Sequence, residues 1–139
     1  MPEIETYLNF NGNCAEAMRF YERTLGGKIE MMMTHGESPM ADQVPRDSRD
    51  RIMHSRLVVD GRALMGSDMN AGDRYEEMKG FYVSLNYARV AEAQKAFDAL
   101  AKGGRVVMPL GKTFWADAFG MLVDRFGTPW MINGGPPKM

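Results

Sequence analysis

The chain has 139 residues, 45% of them hydrophobic, a formal net charge of −1 and one cysteine, Cys14. Its length suits one ordinary domain, and we predict a single domain over residues 1–139. The near-zero charge argues against a nucleic-acid or membrane partner, and no run approaches the ~18 apolar residues of a membrane span. A single cysteine excludes an internal disulfide, and the N-terminus does not resemble a signal peptide. We therefore expect a cytoplasmic protein.

The first predicted elements are a strand, a helix and a second strand. "ETYLNF" alternates apolar and polar residues, which predicts a strand. A helix follows, with apolar residues on one face: Cys14, Ala17, Met18, Tyr21 and Leu25. We expect Asn13 and Glu16 to form a capping box at its start and Gly26 to end it. "KIEMMM" predicts the next strand. The long polar segment after it, "THGESPMADQVPRDSRD", is interpreted as a mobile flap.

The rest of the chain contains two hairpins and a second set of the same elements. "MHSRLVVDGRALMGSD" predicts a hairpin that turns at Asp60 and Gly61. After the connecting segment "NAGDRYEEMK" come a strand, "FYVSLN", a helix, "ARVAEAQKAFDALAKGG", and a strand, "RVVMPL". The helix has an apolar face formed by Val90, Ala93, Phe97 and Leu100. "FGMLVDRFGTPWMING" predicts a second hairpin with a turn glycine at Gly127, and it places Trp130 and Ile132 on one face and Met131 on the other.

The two halves repeat each other. "AEA" begins at Ala15 and again at Ala91, an offset of 91 − 15 = 76, and "GGK" at Gly26 matches "GGR" at Gly103, an offset of 103 − 26 = 77. We predict an α+β fold of two paired βαβββ modules, residues 3–69 and 80–135, that form a concave mixed sheet with a groove between the modules. The open sheet edges need to be covered, which favours a homodimer.

Four blocks carry a resemblance to a known family: "FNGNCAEAMRFYERTLGG", "IMHSRLVVDGRALMGSD", "MPLGKTFWADAFG" and "DRFGTPWMIN". Together they resemble the PhnB-like branch of the vicinal oxygen chelate superfamily, which includes glyoxalase I, bleomycin- and fosfomycin-resistance proteins and extradiol dioxygenases. The resemblance implies paired βαβββ modules and a dimer that sometimes exchanges modules. The branch is often labelled as demethylubiquinone methyltransferase-type domains. No glycine-rich nucleotide loop follows the first strand, so these residues do not support methyl transfer.

The resemblance also implies where a metal ion would bind. Metal enzymes of the superfamily place inward-facing His, Glu or Gln ligands at four positions, which fall here near Thr6, Met65, Phe81 and Met131. Thioethers suit Cu(I) rather than the ions that these enzymes use. Glu5 is one residue from the first position, and one step along a strand turns a side chain to the other face. We predict no metal and no cofactor.

Few other residues offer chemistry. His54, in a predicted strand, is either a polar contact in the groove or a hydrogen-bonded core residue. Asp68 either holds a ligand or caps the loop that follows its strand. His35 and Glu37 form an H-x-E pair without an obvious third zinc ligand, so we interpret them as part of a solvated loop. Cys14 lies on an apolar helix face, which indicates a buried small hydrophobe rather than a nucleophile.

The aromatic segment "KTFWADAFG" gives the strongest indication of function. Phe114, Trp115 and Phe119 are large apolar residues in a connection that should otherwise be polar, so they either plug one end of the sheet or form a pocket wall. The 14 methionines are either core filler or a yielding pocket wall. We predict metal-independent binding of a small planar organic ligand by His54, Asp68, Met65, Phe81, Phe114, Trp115 and Met131. The alternatives are a metal-dependent lyase, isomerase or dioxygenase, and a structural dimer without a ligand.

Overall fold

A computed structural model describes residues 1–138 of the chain. These residues divide into two compact units, Met1–Glu76 and a second unit that begins at Glu77. Each unit contains one α-helix and one four-stranded mixed sheet, with the elements in the order βαβββ. The predicted α+β class and this order of elements are therefore confirmed.

The N-terminal unit places its helix on one face of its sheet. Its elements are β1 (Thr6–Phe10), α1 (Cys14–Leu25), β2 (Lys28–Thr34), β3 (Ile52–Val59) and β4 (Arg62–Asp68). The sheet order is β1-β4-β3-β2, with β1 parallel to β4 and the other pairs antiparallel. The apolar stripe of α1 is buried except for Leu25, which is partly exposed, and Leu8, Phe10 and Leu57 of the strands are buried. Gly26 ends α1 in the left-handed conformation, with φ 76°, which a glycine adopts without strain.

The C-terminal unit repeats this topology. Its elements are β5 (Val83–Tyr87), α2 (Val90–Ala101), β6 (Arg105–Gly111), β7 (Ala118–Val123) and β8 (Pro129–Gly134). The sheet order is β5-β8-β7-β6, and β5 runs parallel to β8. Trp130 and Ile132 are fully buried and Met131 is not, which matches the predicted alternation along β8. The apolar face of α2 begins at Ala93 rather than Val90, because Val90 is 42% exposed at the first turn.

Both predicted hairpins are present. The β3–β4 turn uses Asp60 and Gly61 with φ 49° and 78°, the pair of positive angles that a two-residue turn requires. In the longer β7–β8 turn, Gly127 has φ 93° and its N–H donates to the Asp124 carbonyl at 3.0 Å. The residues within each turn therefore determine the conformation of both hairpins.

One local expectation in the N-terminal unit is wrong, because Asn13 occupies the N-cap of α1 but its side chain makes no capping hydrogen bond. The segment after β2, which we predict to be a mobile flap, has local structure of its own. It contains three short 3₁₀ turns, His35–Glu37, Ala41–Gln43 and Arg46–Ser48. A capping box begins the first turn, where Glu37 N–H donates to Thr34 Oγ1 and the Glu37 carboxylate accepts from Thr34 N–H.

Each sheet ends in two edge strands. They are β1 and β2 in the first sheet and β5 and β6 in the second. Strand β6 leaves Val106 46% and Val107 41% exposed. It also contains Pro109, which has no backbone N–H to offer a neighbouring strand, a common feature of protected edges.

Candidate functional site

Each sheet is covered by its helix on one face only, and we call the opposite face the helix-free face. Residues directly opposite each other on neighbouring strands point to the same face of a sheet. In the first sheet Met65 lies opposite Tyr7, and in the second Met131 lies opposite Ser84. The register therefore corrects the predicted ligand positions, because Tyr7 replaces Thr6. Ser84 replaces Phe81, which precedes β5 and is 40% exposed.

On the helix-free face of the first sheet, His54 is held by a tyrosine. Its Nδ1 lies 3.1 Å from the Tyr7 hydroxyl, and the two rings stack with centroids 5.7 Å apart and an interplanar angle of 21°. His54 is partly exposed and Tyr7 is 49% exposed. His54 is therefore hydrogen-bonded to a protein group but is not a core residue. The pair leaves Nε2 directed away from the bond and available to hydrogen-bond another group.

This face also carries a second polar group, which the sequence patterns do not single out. Arg56 follows His54 by two residues on β3, so the alternation of the strand places both on one face. Its Nη1 lies 3.5 Å from Glu5 Oε1 and its Nε 3.3 Å from Glu30 Oε1. Nη1 also lies 3.8 Å from the Met65 sulfur. Glu5 therefore reaches the helix-free face, contrary to the predicted register, and its carboxylate is already paired with a guanidinium.

The helix-free face of the second sheet is mainly apolar. Opposite pairs across β8 place Met121 beside Met131, and β6 adds Met108 beside Met121. All three methionines are partly exposed. The polar residues of this face lie towards β5, where Ser84 is opposite Met131 and Asn86 is opposite Asn133. Polar groups at one side of an apolar surface are suited to orienting an organic ligand.

An aromatic cluster lies at one end of this apolar face. The Trp115 ring meets the Phe119 ring edge to face, with centroids 5.3 Å apart and an interplanar angle of 72°. Phe114 packs on Trp115 in the same manner, with centroids 4.8 Å apart, and remains 82% exposed. Phe119 lies on β7 two residues before Met121, so it shares the face of the methionines. The cluster therefore forms an aromatic wall beside the methionine row.

Equivalent positions in the two sheets differ in chemistry. In the first sheet, Met65 on β4 lies opposite Arg56 on β3 and Tyr7 on β1. In the second sheet, Met131 on β8 lies opposite Met121 on β7 and Ser84 on β5. One helix-free face therefore carries a guanidinium, an imidazole and a phenol, and the other carries thioethers and aromatic rings.

Asp68 has a structural role in the geometry observed. It is buried, and its Oδ1 accepts from the backbone N–H groups of Gly12 at 2.8 Å and Cys14 at 3.0 Å, while Oδ2 accepts from Ile52 N–H at 2.9 Å. This carboxylate occupies the start of α1, the place where a helix N-terminus would otherwise hold an anionic ligand. Asp68 is therefore a cap, but of the start of α1 rather than of the loop that follows its own strand.

Cys14, beside Asp68, is a buried thiol. Burial raises its pKa from 9.0 to about 12, with the Asp68 charge adding to the rise and a hydrogen bond with Ser55 opposing it. The Ser55 oxygen lies 3.6 Å from the sulfur. A thiol that stays protonated is a poor nucleophile, so Cys14 is suited to packing rather than to catalysis.

The residues present do not fit the metal ion of the superfamily's enzymes. Among residues 1–138, no group of three or more His, Cys, Asp or Glu side chains is placed to share an ion. The corrected family positions hold two thioethers and two hydroxyl groups, which are poor ligands for Zn²⁺, Mn²⁺ or Fe²⁺. Arg56 pairs with both nearby carboxylates, Glu5 and Glu30, and would repel a cation.

Comparison with known proteins identifies the class. The fold is that of the glyoxalase/bleomycin-resistance proteins. A glyoxylase/bleomycin resistance protein/dioxygenase domain from Frankia sp. EAN1pec superposes on this chain with a TM-score of 0.65 at 13% identity. The superposition covers 96% of this chain and 98% of that one. Residues 2–133 match the family model described as 3-demethylubiquinone-9 3-methyltransferase. The chain therefore belongs to that family.

Three relatives are similar over nearly their whole length. Protein YjdN of Escherichia coli (strain K12) is 35% identical, covering 94% of this chain and 93% of its own. The crystal structure of protein PA1353 from Pseudomonas aeruginosa is 51% identical with a TM-score of 0.90, covering 97% and 98% of the two chains. The PhnB protein from Bacillus cereus has a TM-score of 0.80 at 23% identity, covering 95% and 98%. The last two superpositions extend over almost all of both chains.

Proposed function

We propose that this protein binds planar, moderately hydrophobic organic molecules without a metal ion and acts by sequestering them in the cytoplasm. The observation that carries the proposal is the row of Met108, Met121 and Met131 on the helix-free face of the second sheet, beside the Trp115–Phe119 wall. Thioether side chains adapt to ligands of different shape, and aromatic edges and faces favour planar ones. Binding is therefore expected to be broad.

The polar residues of this face supply orientation. Ser84 lies opposite Met131, and Asn86 lies opposite Asn133, so hydrogen-bonding groups border the apolar row on its β5 side. A ligand with one polar edge and a planar apolar body matches this pattern. Phe81 and Asp68 are left out of the proposed site, because the strand register favours Ser84 over Phe81 and three backbone N–H groups occupy the Asp68 carboxylate.

Methyl transfer, which the family description names, is not part of the proposal. The amides of Gly12 and Cys14 at the start of α1 are bonded to Asp68 and do not face a cofactor phosphate or carboxylate. Metal-dependent lyase, isomerase or dioxygenase chemistry is disfavoured by the donor chemistry described above. Elemental analysis after dialysis tests this point, since stoichiometric bound metal that is lost on changing Glu5 or His54 would contradict metal-independent binding.

The experiment for ligand binding is a titration with a library of planar fluorescent compounds, followed by calorimetry for those that bind. Trp115→Ala is expected to weaken binding by about tenfold, because losing one aromatic anchor commonly costs more than ~1 kcal/mol. Val106→Ala is the matched control, since Val106 is exposed and lies opposite Leu122, which is fully buried under α2 and so faces away from the methionine row.

The outcomes separate the candidate functions. Equal affinities for the wild type and Trp115→Ala would remove Trp115 from the site. Failure of every planar compound to bind would favour a structural dimer without a ligand. The second tryptophan, Trp130, is fully buried and donates through Nε1 to Asp124 at 2.9 Å, so it remains as an internal fluorescence reference in the variant.

A further inference from the structure

The segment between β2 and β3 forms a defined structure that the proposed function does not use. Its two ends are joined by backbone hydrogen bonds, from His35 N–H to the Arg51 carbonyl at 3.0 Å and from Gly36 N–H to the Arg49 carbonyl at 2.9 Å. Ser48 is fully buried, and its hydroxyl accepts from Ala71 N–H at 2.8 Å. The segment is therefore anchored both to itself and to the chain that follows β4.

This segment lines much of a half-open cavity of about 280 Å³. That volume is close to the lower limit of about 300 Å³ for small-molecule pockets. Part of its wall is apolar and is contributed by Met40, Val44, Pro45 and Met53. The remaining wall is contributed by His35, Ser38, Gln43 and Asn70, so three separate parts of the N-terminal unit meet at the cavity.

The polar part of the wall has unused hydrogen-bonding capacity. Ser38 is occupied, because its hydroxyl donates to the His35 carbonyl at 2.8 Å and accepts from Met40 N–H at 3.2 Å. The side chains of His35, Gln43 and Asn70 have no protein hydrogen-bond partner within residues 1–138. Imidazole and amide groups both donate and accept, and no Asp, Glu, Lys or Arg lines the cavity.

We propose that this cavity is a second ligand site, which takes a small uncharged molecule with an aromatic ring and an amide-like group. The ring would lie against Met40 and Met53, whose thioethers contact aromatic groups favourably. The amide-like group would pair with Gln43 and Asn70, which offer matching donors and acceptors. A charged ligand is disfavoured, because it would lose water without gaining an opposite charge.

The test uses benzamide as the probe and the full chain with ¹³C-labelled methionine methyl groups. Signals of Met40 and Met53 are assigned with Met40→Leu and Met53→Leu. Benzamide is expected to shift both signals saturably. Gln43→Ala and Asn70→Ala are each expected to raise its Kd by about three- to tenfold, the effect of one neutral hydrogen bond. Benzoate, which has nearly the same shape but carries a charge, is expected to bind at least about tenfold more weakly.

Matched controls isolate the cavity. Gln94→Ala removes an exposed amide from α2, outside both proposed sites, and is expected to leave the benzamide shifts at Met40 and Met53 unchanged. Gln43 and Asn70 are exposed, so their alanine variants are expected to remain folded, which thermal unfolding checks. Absence of shifts at Met40 and Met53, shifts that persist with unchanged Kd in both amide variants, or equal affinity for benzoate would each overturn the proposal. None of these results bears on the Trp115 titration, so the two proposals fail separately.

Discussion

A buried aspartate in each unit accepts hydrogen bonds from several N–H groups. Asp68 joins the start of α1 to the first residue of β3. Asp124 organises the β7–β8 turn by accepting from Phe126 N–H at 2.9 Å and Thr128 N–H at 3.0 Å, and it also accepts from Trp130 Nε1. Because buried charges are tolerated only when they are fully hydrogen-bonded, each carboxylate depends on its whole set of donors.

Asp68→Asn is expected to destabilise the protein by about 2 kcal/mol or more. The amide oxygen can still accept from Gly12 and Cys14, but the amide nitrogen then faces the Ile52 N–H, so two donors meet and one stays unsatisfied. Urea unfolding measures the loss. Asp60→Asn is the control, since Asp60 is exposed and asparagine tolerates its φ of 49°. A loss no larger than that of the control would show that Asp68 does not hold these segments together.

The Cys14 thiol is expected to make stability fall at alkaline pH. Burial raises its pKa to about 12 in the folded chain, against 9.0 for an ordinary thiol. Between these values the unfolded chain binds fewer protons than the folded one, so the free energy of unfolding falls by at most about 1.4 kcal/mol per pH unit. Urea unfolding at about pH 8 and about pH 10 is compared for the wild type and Cys14→Ala. The slope should be shallower in the variant, and parallel slopes would contradict the assignment.

Local sequence patterns predict those secondary-structure elements that depend only on neighbouring residues. The strands, both helices and both hairpin turns follow from side-chain period and from glycines at positive φ. The capping of α1 was missed because its carboxylate comes from Asp68, 54 residues beyond Cys14. The sequence places Phe81 at a ligand position because it does not reveal the strand register. The register decides which face a side chain points to, and pairing in β5 begins only at Val83, opposite Trp130. The alternation of "MHSRLVV" places Arg56 on the face of His54, but it does not show that the guanidinium pairs with Glu5 and Glu30.

The repeat also differs between units where each helix meets its sheet. Asp68 lies opposite Phe10 on β1, and the matching residue opposite Tyr87 on β5 is Gly134. A Cβ on Gly134 would lie 2.7 Å from Ala93 Cβ and 3.1 Å from Val90 Cα. Helix α2 therefore lies directly on β8 at the place where, in the other unit, a carboxylate separates helix and strand.

Gly134→Ala is expected to destabilise the protein by about 1–3 kcal/mol, because the added methyl group forces the backbone of α2 away from β8. Gly111→Ala is the matched control in the same sheet, since a Cβ there would meet only the Pro109 carbonyl oxygen at 4.0 Å. Thermal unfolding of both variants measures the difference. Equal melting temperatures would mean that α2 accommodates the methyl group without cost.

The sequence predicts the fold class of this protein more closely than it predicts its binding partners. No helix in residues 1–138 is long and apolar enough to cross a membrane. The open edges of the two sheets support the proposal that two copies of the chain associate. The ligand could not be predicted, because strand alternation shows which residues share a face but not the molecule that the face selects.

Light scattering is expected to give twice the chain mass at micromolar concentration, since paired copies would cover apolar edge residues. Dilution shows whether the association is reversible. A chain mass that corresponds to one copy across the whole concentration range would contradict the proposed homodimer, without affecting the ligand titrations.

The methionine row makes the apolar face of the second sheet chemically alterable. Peroxide converts an accessible thioether into a sulfoxide, which is polar and chiral, and methionine sulfoxide reductases reverse the change. Met108, Met121 and Met131 are partly exposed, whereas Met18 in α1 is fully buried. Mild oxidation should therefore modify the row before Met18, as peptide mass spectrometry would show, and lower affinity for planar ligands until the reductases restore it. The same side chains that let the surface fit many molecules thus leave it sensitive to oxidative stress.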